Sequence, residues 1–290
     1  METFRARWWT AAEGGRVKCA LCPRQCVISE GRAGFCGVRV NQGGALASLS
    51  YGRPVSIAVD PIEKKPLNHF MPGSRTFSLG TFGCNLGCTF CQNYGISREC
   101  YMEDGEYRFM EPERLVRMAI AQRCPSISFT YNEPTVFAEY AMDTAKLAHE
   151  AGLRTVLVSN GYISDEASDQ LYPLMDAANI DMKGFSEDFY ADMCQGSLGP
   201  VLNSIAKLHR LGTHLEITTL VIPGKNDGKE STEAWLDWAA ENLGRDVPLH
   251  FSAYFPAYRC RIPRTSPATL HEIRRLALDR GFRHVHLGNI

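Results

Sequence analysis

The chain has 290 residues, 44% of them hydrophobic, enough for one large domain with a sizeable core. Its 31 lysines and arginines nearly cancel its 32 aspartates and glutamates, so no global field draws it to nucleic acid or an anionic membrane. No apolar run approaches the roughly 20 residues of a membrane span. The start, "METFRARWWTAAEGGRVK", lacks the apolar core of a signal peptide. The expected setting is cytoplasmic, with neither membrane nor nucleic acid as partner.

Residues 1–75 are rich in Gly, Cys and Pro, with weak periodicity, and read as a Cys-rich amino-terminal region. From Thr76 the pattern changes. "TFSLGTF" reads as a strand entering a cysteine loop. "PERLVRMAIAQR" is an amphipathic helix with Pro112 at its start, and "SISFT" is a strand. "PTVFAEYAMDTAKLAHEAG" is a long helix, "RTVLVSN" a strand, and "DEASDQLYPLMDAA" a helix bent or stopped by Pro173. "NIDM" is a strand, "SEDFYADM" and "GPVLNSIAKLHRLG" are helices, and "HLEITTLVI" is a strand. "STEAWLDWAAENL" and "SPATLHEIRRLALDRG" are helices, each followed by a strand, "PLHFSAY" and "HVHLG". Such alternation predicts parallel pairing with right-handed crossovers. About six units follow the cysteine loop, which predicts an α/β fold: a partial (β/α)6 barrel over 76–290 rather than a complete eightfold one.

Polar residues gather just past strand ends: Asn132-Glu133, Ser159-Asn160-Gly161, Asp181-Lys183 and Pro223-Gly224. Parallel α/β folds bind ligands at the carboxyl ends of their strands. The cysteine loop also follows a strand end.

There are 11 cysteines. Clustered cysteines in an intracellular protein more often bind metal than form disulfides. Cys100, Cys124, Cys194 and Cys260 are scattered and read as buried small hydrophobes. Cys84-x3-Cys88-x2-Cys91 offers three thiolates in one loop. Structural zinc takes four ligands, and an electron-transfer cubane cluster takes four cysteines. Three leave one iron open, as a catalytic metal requires. Gly83 and Gly87 would let the backbone wrap closely around a cluster. Cys19-x2-Cys22-x3-Cys26-x9-Cys36 supplies four thiols, enough to close a zinc site or hold an iron–sulfur cluster, with unligated thiols as the plainer reading.

The loop resembles that of the radical S-adenosylmethionine (SAM) superfamily. "CQNYGIS", "TYNEP", "SNGY", "DMKGF" and "VIPGKND" follow in the order used by activating enzymes of the pyruvate formate-lyase type. "CPRQC…GFCGVR", "TYNEPT" and the terminal "LGNI" resemble the radical SAM member of the AmmeMemoRadiSam system more closely still. The resemblance implies a [4Fe-4S] cluster on Cys84, Cys88 and Cys91, and SAM cleaved reductively to a carbon-centred radical, typically 5′-deoxyadenosyl. It also implies a reductant such as flavodoxin or ferredoxin.

By resemblance, Phe90 packs on the SAM adenine, against simple loop packing as its ordinary role. "TYNEP" takes the place of a Gly-Gly-Glu-Pro motif, so Asn132 or Glu133 would contact the SAM ammonium; Tyr131 and Asn132 replace the two glycines. Asn160 would bond the ribose or the methionine carboxylate, against a turn role. Asp181 and Lys183 match a "D-x-K" pattern, with the ammonium suited to the SAM carboxylate and a surface ion pair as the alternative. His250 resembles a histidine near the adenosine, against a satisfied core residue.

Two substrates compete under this resemblance: a glycine loop of a glycyl-radical protein, or a small molecule handled together with AMMECR and Memo family proteins. A non-catalytic electron carrier or zinc scaffold is the alternative from another class. It leaves unexplained both the missing fourth ligand and the polar strand ends.

Overall fold

The computed structural model describes residues 4–98 and 109–290; Cys100 lies outside them. The amino-terminal region forms short strands despite its weak periodicity. β1 (Phe4–Arg5), β5 (Arg39–Gln42) and β6 (Ala45–Ser48) make one antiparallel sheet, in the order β1-β6-β5. β2 (Trp9–Ala12), β3 (Arg16–Cys19) and β4 (Val27–Ile28) make another. Alternation of buried and exposed residues in β3 fixes its register, with Val17 and Cys19 inward.

The main sheet has eight strands in sequence order. β7 (Ser56–Pro61) is an antiparallel edge strand on β8 (Arg75–Gly80). Then β9 (Ser126–Phe129), β10 (Arg154–Ser159), β11 (Ala177–Asp181), β12 (His214–Val221), β13 (Leu249–Ala253) and β14 (Val285–Gly288) each pair in parallel with the strand before. The sheet thus reaches back to Ser56, before the boundary expected at Thr76. Its order runs from β7 to β14, and no pairing joins these two edges among the described strands.

Helices Pro112–Ala121, Ala138–Glu150, Asp165–Leu171, Gly199–Arg210, Lys229–Leu243 and Pro267–Asp279 make the crossovers. Proline stands near the start of several, where its missing N–H is no loss. Ser164 and Ser266 cap two others, accepting from the amides of Ala167 and Thr269. Pro173 stops its helix: the α-helix ends at Leu171, a single tight turn follows, and Ala177 and Ala178 belong to β11 rather than to the expected helix.

The connection between β7 and β8 crosses the concave face of the sheet. The Pro66 carbonyl accepts from Asn179 Nδ2 of β11 at 2.7 Å. The amides of Asn68 and His69 donate to Glu216 of β12 at 3.0 and 2.8 Å. The His69 ring meets His286 of β14, Nε2 to Nε2 at 2.9 Å. Ile62 and Leu67 of the same connection pack on Val156 and Ala177, at the starts of β10 and β11. The interior is therefore floored at the amino ends of the strands and open toward their carboxyl ends.

Candidate functional site

A cavity of about 510 Å³ lies at the carboxyl ends of the strands. Cys84, Cys88, Phe90, Cys91, Asn132, Glu133, Asn160, Asp181, Lys183 and His250 all line it. Sequence order scatters these residues over five strand ends, and parallel topology gathers them. Pro223 and Gly224 do not line it. That turn acts through Asn226, whose amide donates to the carbonyls of Lys183 and Leu220 at 2.7 and 2.9 Å.

The cysteine loop is held from behind. The amides of Gly87 and Thr89 donate to the carbonyls of Cys194 and Met193, at 2.8 and 2.9 Å. Gly87 is required there: a Cβ would lie 2.6 Å from Gln195 Oε1 and 3.1 Å from Phe35. At Gly83, φ is +86° and a Cβ would lie 2.5 Å from the Cys36 carbonyl oxygen. The expectation that these glycines clear space for a cluster is thus corrected, since both make room for neighbouring protein.

Cys194, expected as an isolated core thiol, shares a hydrogen bond with Cys88. That contact and burial push the Cys88 thiol well up. Burial, then the charges of Glu133 and Cys88, raises Cys84, and burial raises Cys91. Cys124 and Cys260 are buried, as scattered cysteines should be. Every described cysteine is free.

Asn132 and Asn160 differ from their expected roles. Asn132 Oδ1 accepts from the Thr81 amide at 2.9 Å, and its Nδ2 donates to the Gly83 carbonyl at 2.9 Å and to Thr81 Oγ1 at 3.2 Å. Its side chain is spent fastening the entry to the cysteine loop. Asn160 Oδ1 accepts from the Tyr162 amide at 2.8 Å. Its Nδ2 donates to Asn85 Oδ1 at 3.0 Å and reaches Cys84 Sγ at 3.7 Å. It addresses the loop and a sulfur, instead of a ribose.

Glu133 is buried and accepts three hydrogen bonds: Thr135 N at 2.9 Å, Ser159 Oγ at 2.7 Å and Asn160 N at 2.8 Å. Burial raises its pKa against those bonds. It joins the ends of β9 and β10 and still borders the cavity. Lys183 Nζ pairs with Asp181 Oδ2 at 2.7 Å. Burial works against its ammonium, but Asp181 and Cys88 more than offset it and raise the pKa. Both signs of charge therefore border one cavity. Phe90 packs on Phe189 with ring centroids 6.0 Å apart.

His250 Nε2 lies 2.6 Å from Glu216 Oε2, and its ring stacks on His286 at 4.9 Å. Thr218, Ser252 and His286 line the same end of the cavity, and the buried Thr218 hydroxyl has no partner among the described residues. Sequence reasoning missed this polar floor, although period-two alternation in "HLEITTLV" puts His214, Glu216 and Thr218 on one face. It also missed Asp60, Lys65 and the hydroxyl of Tyr131, which join below the site.

Among the described residues, no group of three or more His, Cys, Asp or Glu side chains is gathered to hold a metal as it stands. The donor chemistry nonetheless fits an open iron–sulfur cluster: three thiols of one loop border a cavity that also carries a carboxylate, an ammonium and a partnerless hydroxyl.

A family model described as "Radical SAM superfamily" matches residues 78–236. The uncharacterized protein MJ0808 of Methanocaldococcus jannaschii is 41% identical over 286 residues, 98% of this chain and 85% of that one. Among solved structures, a radical SAM methyltransferase from Sphaerobacter thermophilus aligns with a TM-score of 0.58 at 16% identity, covering 76% of this chain and 68% of that one. A domain of the pyruvate-formate lyase-activating enzyme from Bacteroides vulgatus aligns with a TM-score of 0.50 at 16% identity, over 57% of this chain and 99% of that one.

Proposed function

The chain belongs to the radical SAM superfamily, and from that premise we propose that it holds a [4Fe-4S] cluster on Cys84, Cys88 and Cys91 and cleaves SAM reductively. The observation that carries this reading is the shared cavity: all three thiols and charges of both signs border it. When bound, the reduced cluster supplies the electron that breaks a SAM carbon–sulfur bond, leaving a carbon-centred radical, typically 5′-deoxyadenosyl. The chain's own part is placement. Lys183 offers an ammonium to a carboxylate, and Glu133 offers a carboxylate oxygen to an ammonium. Phe90 gives an apolar face suited to a purine. Asn160, near the Cys84 sulfur, sets the charge that sulfur carries, since hydrogen bonds to cluster sulfurs tune the potential. The enclosing strands exclude water, which would quench a radical.

The cavity continues past these residues to His250, His286, Ser252 and Thr218. That polar floor supports a small polar substrate over a glycine loop of a partner protein, although the likeness to an activating enzyme keeps the glycyl-radical reading as the competitor. The motifs "CPRQC…GFCGVR" and "LGNI" support membership of the AmmeMemoRadiSam system, with AMMECR and Memo proteins as partners and flavodoxin or ferredoxin as reductant. No helix among the described residues is long and apolar enough to cross a membrane. Free thiols fit a reducing, cytoplasmic setting.

Anaerobic reconstitution with iron and sulfide, reduction and addition of SAM test this reading. The expected product is 5′-deoxyadenosine or another SAM cleavage product. A reconstituted cluster that leaves SAM intact would favour the electron-carrier alternative.

A further inference from the structure

A second set of thiols borders a separate cavity. Cys19 ends β3, and its amide donates to the Cys26 carbonyl at 2.9 Å. Between them Cys22 opens a turn, its carbonyl accepting from the Gln25 amide at 3.2 Å. Cys36 comes from a neighbouring turn, closed by the Gly37 amide on the Gly34 carbonyl at 2.9 Å. Gly34 lets that turn approach the first: a Cβ there would lie 3.5 Å from both Cβ and Sγ of Cys26. All four cysteines line one cavity of about 10 Å³, together with Arg24 and Arg39.

We propose that Cys19, Cys22, Cys26 and Cys36 bind a single zinc ion as a tetrathiolate. Cavity size decides between the metals. About 10 Å³ is the room of one water-sized body, enough for an ion and far too little for a four-iron cube. The ligands are two chain-local sets from adjoining turns, the usual arrangement of a structural zinc site. The thiols are not yet gathered at bonding distance, so the ion closes the site by turning them inward. Each thiol releases its proton to solvent on binding, leaving the centre with two net negative charges. The guanidiniums of Arg24 and Arg39 stand at the same cavity to balance them.

The site also has a position that gives it a task. Arg24 lies between Cys22 and Cys26, and its guanidinium donates to the carbonyls of Asn85 and Gln195. Asn85 follows Cys84 directly and accepts from Asn160 at 3.0 Å. Zinc would therefore fix the turn that braces the loop carrying Cys84, Cys88 and Cys91.

The C84A/C88A/C91A variant removes the other thiol set, so its metal content does not depend on the function proposed above. Elemental analysis is expected to find one zinc per chain and no iron. Iron in that variant, or neither metal, overturns the proposal. X-ray absorption at the zinc edge of the unsubstituted protein needs no variant to fold. Four sulfurs at roughly 2.3 Å support the site, whereas a shell containing nitrogen or oxygen overturns the four-cysteine set. Cys36→Ser should lower zinc content at least tenfold; full retention of zinc would remove Cys36 as a ligand and with it the proposal.

Discussion

The Tyr131 hydroxyl donates to Asp60 Oδ2 at 2.5 Å, while Tyr131 itself sits in the left-handed region at φ +71°. Asp60 also pairs with Lys65 at 2.6 Å, and the Lys65 ammonium lies 4.5 Å from the centre of the Tyr131 ring. This explains how a tyrosine can stand where the related motif has glycine. A non-glycine residue costs about 1–2 kcal/mol in that conformation, and the buried triad offsets the cost. Tyr131→Phe keeps the ring and removes the bond to a charged group. It should lower unfolding free energy by about 1.5–3 kcal/mol in urea titration. An unchanged midpoint would mean that the hydroxyl holds nothing.

Arg39 and Glu139 form a buried two-point pair at 2.7 and 2.6 Å, with side chains 1% and 0% exposed. The Arg7 amide adds a third bond to Glu139, at 2.8 Å. The pair clamps the amino-terminal sheets to helix Ala138–Glu150. Arg39→Met strands a buried carboxylate and should cost about 3–5 kcal/mol. Adding Glu139→Leu should recover most of it, because the penalty is the orphaned charge. Equal losses in the single and double variants, by chemical denaturation, would defeat this account.

Most of the main sheet was legible because each strand and helix carries its own periodicity and caps. The strands "SISFT" and "RTVLVSN" hold within a residue or so. β7 was missed because an antiparallel edge strand gives no crossover signal, and its pairing is decided by Arg75–Gly80, residues away. The cavity-lining residues were legible because strand ends converge by topology. The uses of Asn132 and Asn160 were not, since an amide's partners depend on which backbone group happens to stand within 3 Å. Glu216 and Asp60 were invisible for a similar reason: their partners, His69, His250, Lys65 and Tyr131, come from distant segments.

The floor of the cavity should make stability depend on pH. Burial lowers the pKa of His69 and His286, and their shared 2.9 Å contact requires one nitrogen to accept. A histidine whose folded pKa is depressed contributes stability that is present above its ordinary value of about 6.5. That contribution is lost as pH falls through the lower folded value. Glu216 adds a second loss further into acid. Burial opposes its carboxylate, but bonds from His214, His250, His69 and Asn68 hold its pKa below the ordinary range. Unfolding free energy should therefore drop between pH 7.5 and 5.5. His286→Gln should flatten that drop. Parallel profiles for the two proteins would show that the histidine pair does not titrate with folding.

The charges at the cavity test how SAM is held. Lys183→Ala removes the ammonium and leaves Asp181, 36% exposed, able to turn to water. SAM affinity should fall about tenfold or more, since an ion left without its partner in a cavity costs at least 1.4 kcal/mol. The cluster should remain, because no ligand is touched. Glu133→Ala is a poor test, as it orphans three donors at Thr135, Ser159 and Asn160 and would weaken the fold itself. Glu133→Gln keeps the shape and removes the charge. Its amide oxygen can still accept from Thr135 and Ser159, while its NH2 group faces the Asn160 amide, so some stability is lost with the affinity. Anaerobic titration with SAM, followed by the cluster's paramagnetic spectrum, reads affinity apart from folding, which circular dichroism reports. Weakened binding in Lys183→Ala, with an intact cluster signal, is the expected result. If both variants bind SAM as tightly as the unsubstituted protein, these charges serve the strand ends alone, and SAM is held elsewhere in the cavity.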